Sequence, residues 1–295
     1  MIPAALLTVA VIAAAIVITS QQQHNSNGPQ ITSPTSTQHR EPAYGPQVTL
    51  PFTGLSQPGD VAADSAGDLY VADYGNSRVL RMAAGSSFPR VLPFTGLDKP
   101  QGAAVDAAGD LYITDPGTHR VLKLAAGSGT QAVLPFTGLN EPWGVAVDAA
   151  GNLYVTDVIN NRVVKLAAGS ATQAVLPFTG LNAPQSVAVD TAGNLYVTDY
   201  SNDRVLTLPA GSGAQTVLPF TGLNGPYGVA VDAAGNLYVA DDGNNRVLEL
   251  AAGSATPTVL PFTGLNSPNG VAVDTAGNLY VTDFGNDRVV KLPTG

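Results

Sequence analysis

The phrase Leu-Pro-Phe-Thr-Gly-Leu begins at Leu50, Leu92, Leu134, Leu176, Leu218 and Leu260, a step of 42 residues each time with no insertion or deletion. Self-similarity at this period constrains the architecture before any local reading. Each unit is one supersecondary element that cannot bury its apolar surface alone. The repeat covers residues 47–295 of a 295-residue chain, so six equal units argue for one repeat domain. A second phrase, Gly-Asn-Leu-Tyr-Val-Thr-Asp, recurs between the copies, as at 151–157 and 277–283.

The third unit shows what each copy builds. Residues 144–148 (Gly-Val-Ala-Val-Asp) predict a short β-strand, and Ala149 to Asn152 a turn in which Gly151 supplies positive φ. Residues 153–157, 162–166 and 173–177 predict three more strands, joined by tight turns. Four short strands in sequence make an antiparallel meander. The strands are apolar on both faces, as in Val-Ala-Val and Leu-Tyr-Val, so each sheet needs a neighbour on either side. Six such sheets close into an all-β, six-bladed β-propeller of four-stranded antiparallel blades. A linear solenoid is the other architecture for such repeats, but it calls for distinct capping units. The sixth unit reads as three strands, and Gln47 to Pro51 offers a spare one upstream. The N-terminal strand is therefore expected to complete the sixth blade and remove an open edge.

Residues identical in all units serve what every blade needs. The strand-one aspartates (Asp64, Asp106, Asp148, Asp190, Asp232, Asp274) open each turn and are expected to accept turn N–H groups. The strand-two aspartates (Asp73, Asp115, Asp157, Asp199, Asp241, Asp283) precede an arginine by five residues, which predicts one ion pair across a turn in each blade. Columns that vary point to function. After the fixed proline of the loop into each first strand stand Gly59, Gln101, Trp143, Gln185, Tyr227 and Asn269. After the strand-two aspartate stand Tyr74, Pro116, Val158, Tyr200, Asp242 and Phe284. Both columns fall on one rim, beside Glu141 and Lys99. Exposed aromatics on a rigid scaffold suit recognition. The expected ligand- or partner-binding residues are Trp143, Tyr227, Tyr74, Tyr200, Phe284, Asp242, Glu141, Gln101, Gln185 and Asn269.

Signs of catalysis are sparse. The chain has no cysteine and three histidines, of which only His119 lies in the repeats, at a turn position. His24 and His39 read as solvated linker residues. No metal-ligating cluster, nucleophile elbow, phosphate loop or kinase signature is present, so no cofactor, metal site or catalytic residue is expected. Glu141, Asp242 and His119 break the sixfold pattern and are the candidates for acid–base chemistry. A net charge of −9 without a basic stripe argues against nucleic acid as a partner.

Residues 1–19 are uncharged and rich in Ala, Val, Ile and Leu. As a helix they would reach ~28 Å, near the thickness of a bilayer core, and predict one transmembrane helix. A signal peptide would carry a basic start and a small-residue cleavage site, and neither is present. Residues 20–46 are polar and predict a disordered tether. The domain reading is thus 1–19 span, 20–46 tether, 47–295 propeller.

The unit Asn-x-Pro-x-Gly-Val-Ala-Val-Asp-x-Ala-Gly-Asn-Leu-Tyr-Val-Thr-Asp-x-Gly-Asn-x-Arg-Val-x-Lys-Leu resembles the NHL repeat. The Leu-Pro-Phe-Thr-Gly-Leu linker resembles that of the extracellular sensor domains of mycobacterial receptor serine/threonine kinases of the PknD type. That resemblance implies a non-catalytic, single-pass, cell-membrane-anchored sensor, with the propeller on the extracytoplasmic side binding an extracellular protein, glycan or small ligand. It also implies a kinase domain encoded upstream, since none lies in residues 1–295, and no kinase residue carries over. The alternative function is a propeller lyase or hydrolase acting at the rim or channel.

Overall fold

The computed structural model describes residues 44–295. The span expected at 1–19 and most of the tether lie outside the described residues. Among those described, no helix is long and apolar enough to cross a membrane.

Six four-stranded antiparallel sheets form a closed ring. The first is β2 (Pro58–Ala63), β3 (Leu69–Asp73), β4 (Arg78–Met82) and β5 (Arg90–Val91), paired in that order. Blades two to five repeat the pattern over 103–133, 142–175, 184–217 and 226–259. The sixth holds Pro268–Val273, Leu279–Asp283 and Arg288–Leu292, and its outer strand is β1 (Val48–Thr49). Val48 pairs with Lys291 and Thr49 with Val290. The closure expected from the chain ends is thus present, and the solenoid is not.

The side chain of Gln47 shows the same replacement. Its amide bonds both the N–H and the C=O of Thr263, at 2.8 and 3.1 Å. Gln131, Gln173 and Gln215 do the same for Thr95, Thr137 and Thr179 inside the ring. The ordered chain begins earlier than the expected boundary at residue 47. Tyr44 bridges Thr294, and the Gly45 N–H bonds the Pro293 carbonyl at 2.7 Å, so these residues add to the closing strand.

The core lies between blades. Six apolar clusters each join one sheet to the next, and the seam cluster sets Val61, Val71 and Leu80 against Ala272, Tyr280 and Val289. This is the burial that two-faced apolar strands require. It leaves each inner strand with one unpaired edge, because β2 and its counterparts end their sheets. Six such edges converge on the axis and line a central channel with backbone N–H and C=O groups.

Candidate active site at the channel mouth

Each crossover loop is locked before it enters its inner strand. In the third blade, the fully buried Asp157 accepts the Asn140 N–H at 2.7 Å, Arg162 Nε at 2.7 Å and Asn160 Nδ2 at 2.8 Å. Arg162 Nη2 reaches back to the Gly138 carbonyl at 2.9 Å. The same arrangement recurs at Asp73, Asp199, Asp241 and Asp283, while Asp115 takes Thr118 in place of Asn. The predicted ion pairs are therefore structural pins of the crossover. The strand-one aspartates accept turn N–H groups as expected, and each also accepts a tyrosine hydroxyl, as Asp148 does from Tyr154 at 2.9 Å.

A further column joins neighbouring blades. Ser77, His119, Asn161, Asp203, Asn245 and Asp287 all adopt positive φ after the strand-two turn. Each side chain accepts the N–H of a residue in the next crossover: Lys99, Glu141, Ala183, Gly225, Ser267 and Gln57. His119 thus takes the Glu141 N–H on Nδ1 at 3.1 Å and belongs to this series. Glu141 serves the loop and does not line the channel mouth.

These pinned loops deliver five of the expected residues to one place. Gln101, Trp143, Gln185, Tyr227 and Asn269 line the mouth of the channel. The aromatics are half-buried rather than exposed as expected, because they pack on one another. Phe284, Tyr74, Trp143, Tyr227 and Tyr200 form a continuous row with centroid separations of 6.2, 6.4, 5.6 and 5.8 Å. Trp143 and Tyr227 of this row line the mouth, where only about 10 Å³ remains, room for about one water. Below it the channel widens to about 190 Å³. Gln101 and Gln185 are 3% and 8% exposed. Among the described residues their Oε1 atoms have no hydrogen-bond partner, and neither has Trp143 Nε1. Gln101 Nε2 donates to Asn269 Oδ1 at 3.2 Å. Asp242 stands to the side, half-buried, where burial raises its carboxyl against a hydrogen bond from Ser267.

Sequence reasoning missed two residues one position further on. The column after the variable one reads Asp60, Gly102, Gly144, Ser186, Gly228 and Gly270. Glycine is the rule because the next blade's inner strand passes close: a Cβ on Gly144 would lie 2.7 Å from Ser186 Cα. Asp60 and Ser186 break the rule in the first and fourth blades, which face each other in a ring of six. Both line the mouth and the channel below it. Asp60 Oδ1 accepts the Val61 N–H at 2.8 Å, and Oδ2 accepts the Ala103 N–H at 3.2 Å. Its remaining surface faces a lumen walled by protein, so burial dominates. It pushes the carboxyl up to about 7, against the pull of those two N–H groups. The signal was available, since an acid among glycines at a fixed repeat position is a broken symmetry. Among the described residues no group of three or more His, Asp or Glu is placed to hold a metal ion.

Residues 183–292 match a family model described as the SMP-30/Gluconolactonase/LRE-like region, and residues 55–82, 97–124 and 139–166 match the NHL repeat. No curated protein sequence matches the chain. Among solved structures, a gluconolactonase from Xanthomonas campestris is similar, with a TM-score of 0.71 and 19% identity over 84% of this chain and 89% of that one. A streptogramin B lyase gives 0.66 and 15% over 84% and 97%, and a chain of a nidogen/laminin complex gives 0.67 and 23% over 73% and 84%. At these identities the likenesses establish the fold. The NHL reading of the repeats stands. The expectation of a non-catalytic domain is corrected. The model matched over 183–292 is named for enzymes, and a gluconolactonase and a lyase share the fold. That expectation leaned on the scarcity of histidine.

Proposed function

We propose that the propeller is an enzyme, a hydrolase or lyase that acts on a small polar substrate in the central channel, with Asp60 as the acid–base group. The carrying observation is Asp60 itself, the one acidic side chain among the described residues that line the channel and its mouth, whose proton leaves near pH 7. A general base works best when its pKa lies near the working pH. The matched gluconolactonase-type region supports the reading.

Two reactions use such a group. In hydrolysis of a lactone or ester, Asp60 takes a proton from water as the oxygen attacks the carbonyl carbon. The ring or ester C–O bond then breaks, and the leaving oxygen takes the proton back. In an elimination, Asp60 removes a proton next to a carbonyl, an alkene forms, and the leaving group departs with the bonding pair and takes that proton from Asp60. Ser186 across the channel and the unpartnered Oε1 atoms of Gln101 and Gln185 offer hydrogen bonds to substrate hydroxyls. The free edges of the inner strands add backbone donors and acceptors. A channel of about 190 Å³ lies below the ~300–1,000 Å³ of pockets for drug-sized ligands, which favours a molecule of monosaccharide size.

We further propose that the apolar run at 1–19 anchors the enzyme with its propeller on the extracytoplasmic side. The resemblance to kinase sensor domains rests on the Leu-Pro-Phe-Thr-Gly-Leu phrase, and every blade uses that phrase as the crossover that follows its outer strand.

The test is a panel of sugar-sized lactones, followed by proton release, and of elimination substrates, followed by alkene absorbance. Wild type should turn over one class with kcat/KM rising through about pH 7. Asp60→Asn should lose that limb and at least ~100-fold in rate. An Asp60→Asn protein with the wild-type rate and pH profile would overturn the assignment, and inactivity on both classes would overturn the reading.

A further inference from the structure

The strand-two tyrosines allow a comparison within one molecule. All six donate their hydroxyl to a strand-one aspartate at 2.8–3.1 Å. What covers the ring differs. In four blades the cross-strand neighbour on strand three is a cation: Arg81 for Tyr70, Lys123 for Tyr112, Lys165 for Tyr154 and Lys291 for Tyr280. These cations lie 6.0, 5.3, 5.1 and 5.3 Å from the ring centroids. In the fifth blade the neighbour is Glu249, and Tyr44 packs on the cluster that contains Tyr238.

The fourth blade is the exception. Its neighbour is Thr207, and among the described residues no cation or second ring lies over Tyr196. Tyr196 alone of the six is only partly buried. A groove of about 360 Å³ opens against it, lined by Asn194, Thr207 and Pro209 from the fourth blade and by Leu218, Leu237 and Leu250 toward the fifth. The matching groove between the second and third blades is of similar size, about 410 Å³, but there Lys123 already covers Tyr112.

We propose that the groove between the fourth and fifth blades docks a lysine side chain of a partner polypeptide, whose ammonium takes the place over Tyr196 that Lys123, Lys165 and Lys291 fill in their own blades. The sister sites supply the geometry. The aliphatic stem lies along the leucines of the groove, and the charged head sits over the ring face beside Asp190, the partner of the Tyr196 hydroxyl. Charge supports the choice, since the chain carries 22 acidic side chains against 13 Lys and Arg. Thr207 leaves free the space that a long side chain occupies elsewhere. The site lies on the rim that carries the turns between first and second strands and shares no lining residue with the channel.

The test uses the full chain with ring-labelled tyrosine, the Tyr196 signal being assigned through Tyr196→Phe. The probe is the peptide acetyl-Gly-Gly-Lys-Gly-Gly-amide. Its addition should shift the Tyr196 ring signals saturably and leave those of Tyr112 unmoved. The same peptide with an acetylated lysine should leave Tyr196 unmoved. Thr207→Lys should place its own ammonium over the ring, so the Tyr196 signal moves in the free protein and peptide affinity falls at least tenfold. The proposal is overturned by an absent or non-saturable shift, by an equal response to the acetylated peptide, or by unimpaired binding to Thr207→Lys. Butylamine binding as tightly as the peptide would also overturn it, because the partner would then be a free amine.

Discussion

Thr282 donates its hydroxyl to the Gly59 carbonyl at 2.8 Å, tying the second strand of the last blade to the inner strand of the first. Thr114, Thr156 and Thr198 make the same bridge to the carbonyls of Trp143, Gln185 and Tyr227. The first and fifth blades have Ala72 and Ala240 in this position and lack it. Thr282→Ala should therefore lower stability by about 1–2 kcal/mol, since it leaves a buried carbonyl short of a donor. Ala240→Thr should raise it by roughly 0.5–1 kcal/mol, toward the Asn269 carbonyl. Urea unfolding of the two variants checks both signs.

The pH dependence of stability should carry the mark of Asp60. Its carboxyl is raised to about 7 in the folded protein by burial, from about 3.9 in the unfolded chain. The folded state then holds a proton that the unfolded state has released. Stability is therefore greatest below the unfolded value and falls as the pH rises toward 7. Asp148, Asp190 and Asp274 act in the opposite sense. Burial would raise them, but hydrogen bonds from Asn152, Asn194 and Asn278 and from their tyrosines hold them low. Their contribution is present above the unfolded value and lost as the pH falls. Wild type should accordingly be most stable near pH 4–5, between the two effects. Asp60→Asn should flatten the decline above that and exceed wild type at pH 8 by up to ~4 kcal/mol. Thermal melts from pH 3 to pH 8 would expose the reverse order, which would refute the burial of this carboxyl.

Trp143 reports on the mouth alone, because it is the single tryptophan. Its ring is half-buried between Tyr74 and Tyr227, and its Nε1 is sealed from solvent without a partner. Its emission should be blue-shifted and poorly quenched by iodide. Tyr74→Ala with Tyr227→Ala should move it to the red and increase quenching several-fold.

Gly270 tests how tightly Asp60 is held. A Cβ there would collide with the Asp60 carboxylate and lie 2.7 Å from its Cα. Gly270→Ala should displace Asp60 and cost ~1–3 kcal/mol through overpacking. A carboxyl ¹³C titration should then show the Asp60 pKa moved from its position near 7.

Much of the fold was legible because the repeat made it redundant. Six copies of one strand pattern left one closed arrangement, and the spare strand at Val48 completed it. The mouth was legible in part. Gln101, Trp143, Gln185, Tyr227 and Asn269 vary in one column, and the inner strands bring that column together. The half-burial of the aromatics was not legible, since it depends on rings of different blades meeting over the axis, as Tyr74 and Trp143 do. Asp60 went unread for another reason. The neighbouring column showed more chemical variety, and burial of a carboxyl against another blade's backbone has no signature in local sequence.

The closing strand sets an order of events during synthesis. Gln47 finds Thr263 across 216 residues, and Val48 and Thr49 pair with a strand that leaves the ribosome later still. The first five blades can assemble on their neighbours as they emerge, but the latch must wait with its backbone unpaired until the sixth is made. Closure is the contact with the largest loop to close, so it should be slow and come last. A nascent chain stalled within the sixth repeat would present an arc with two raw flanks. Such an arc is what a chaperone or protease would meet.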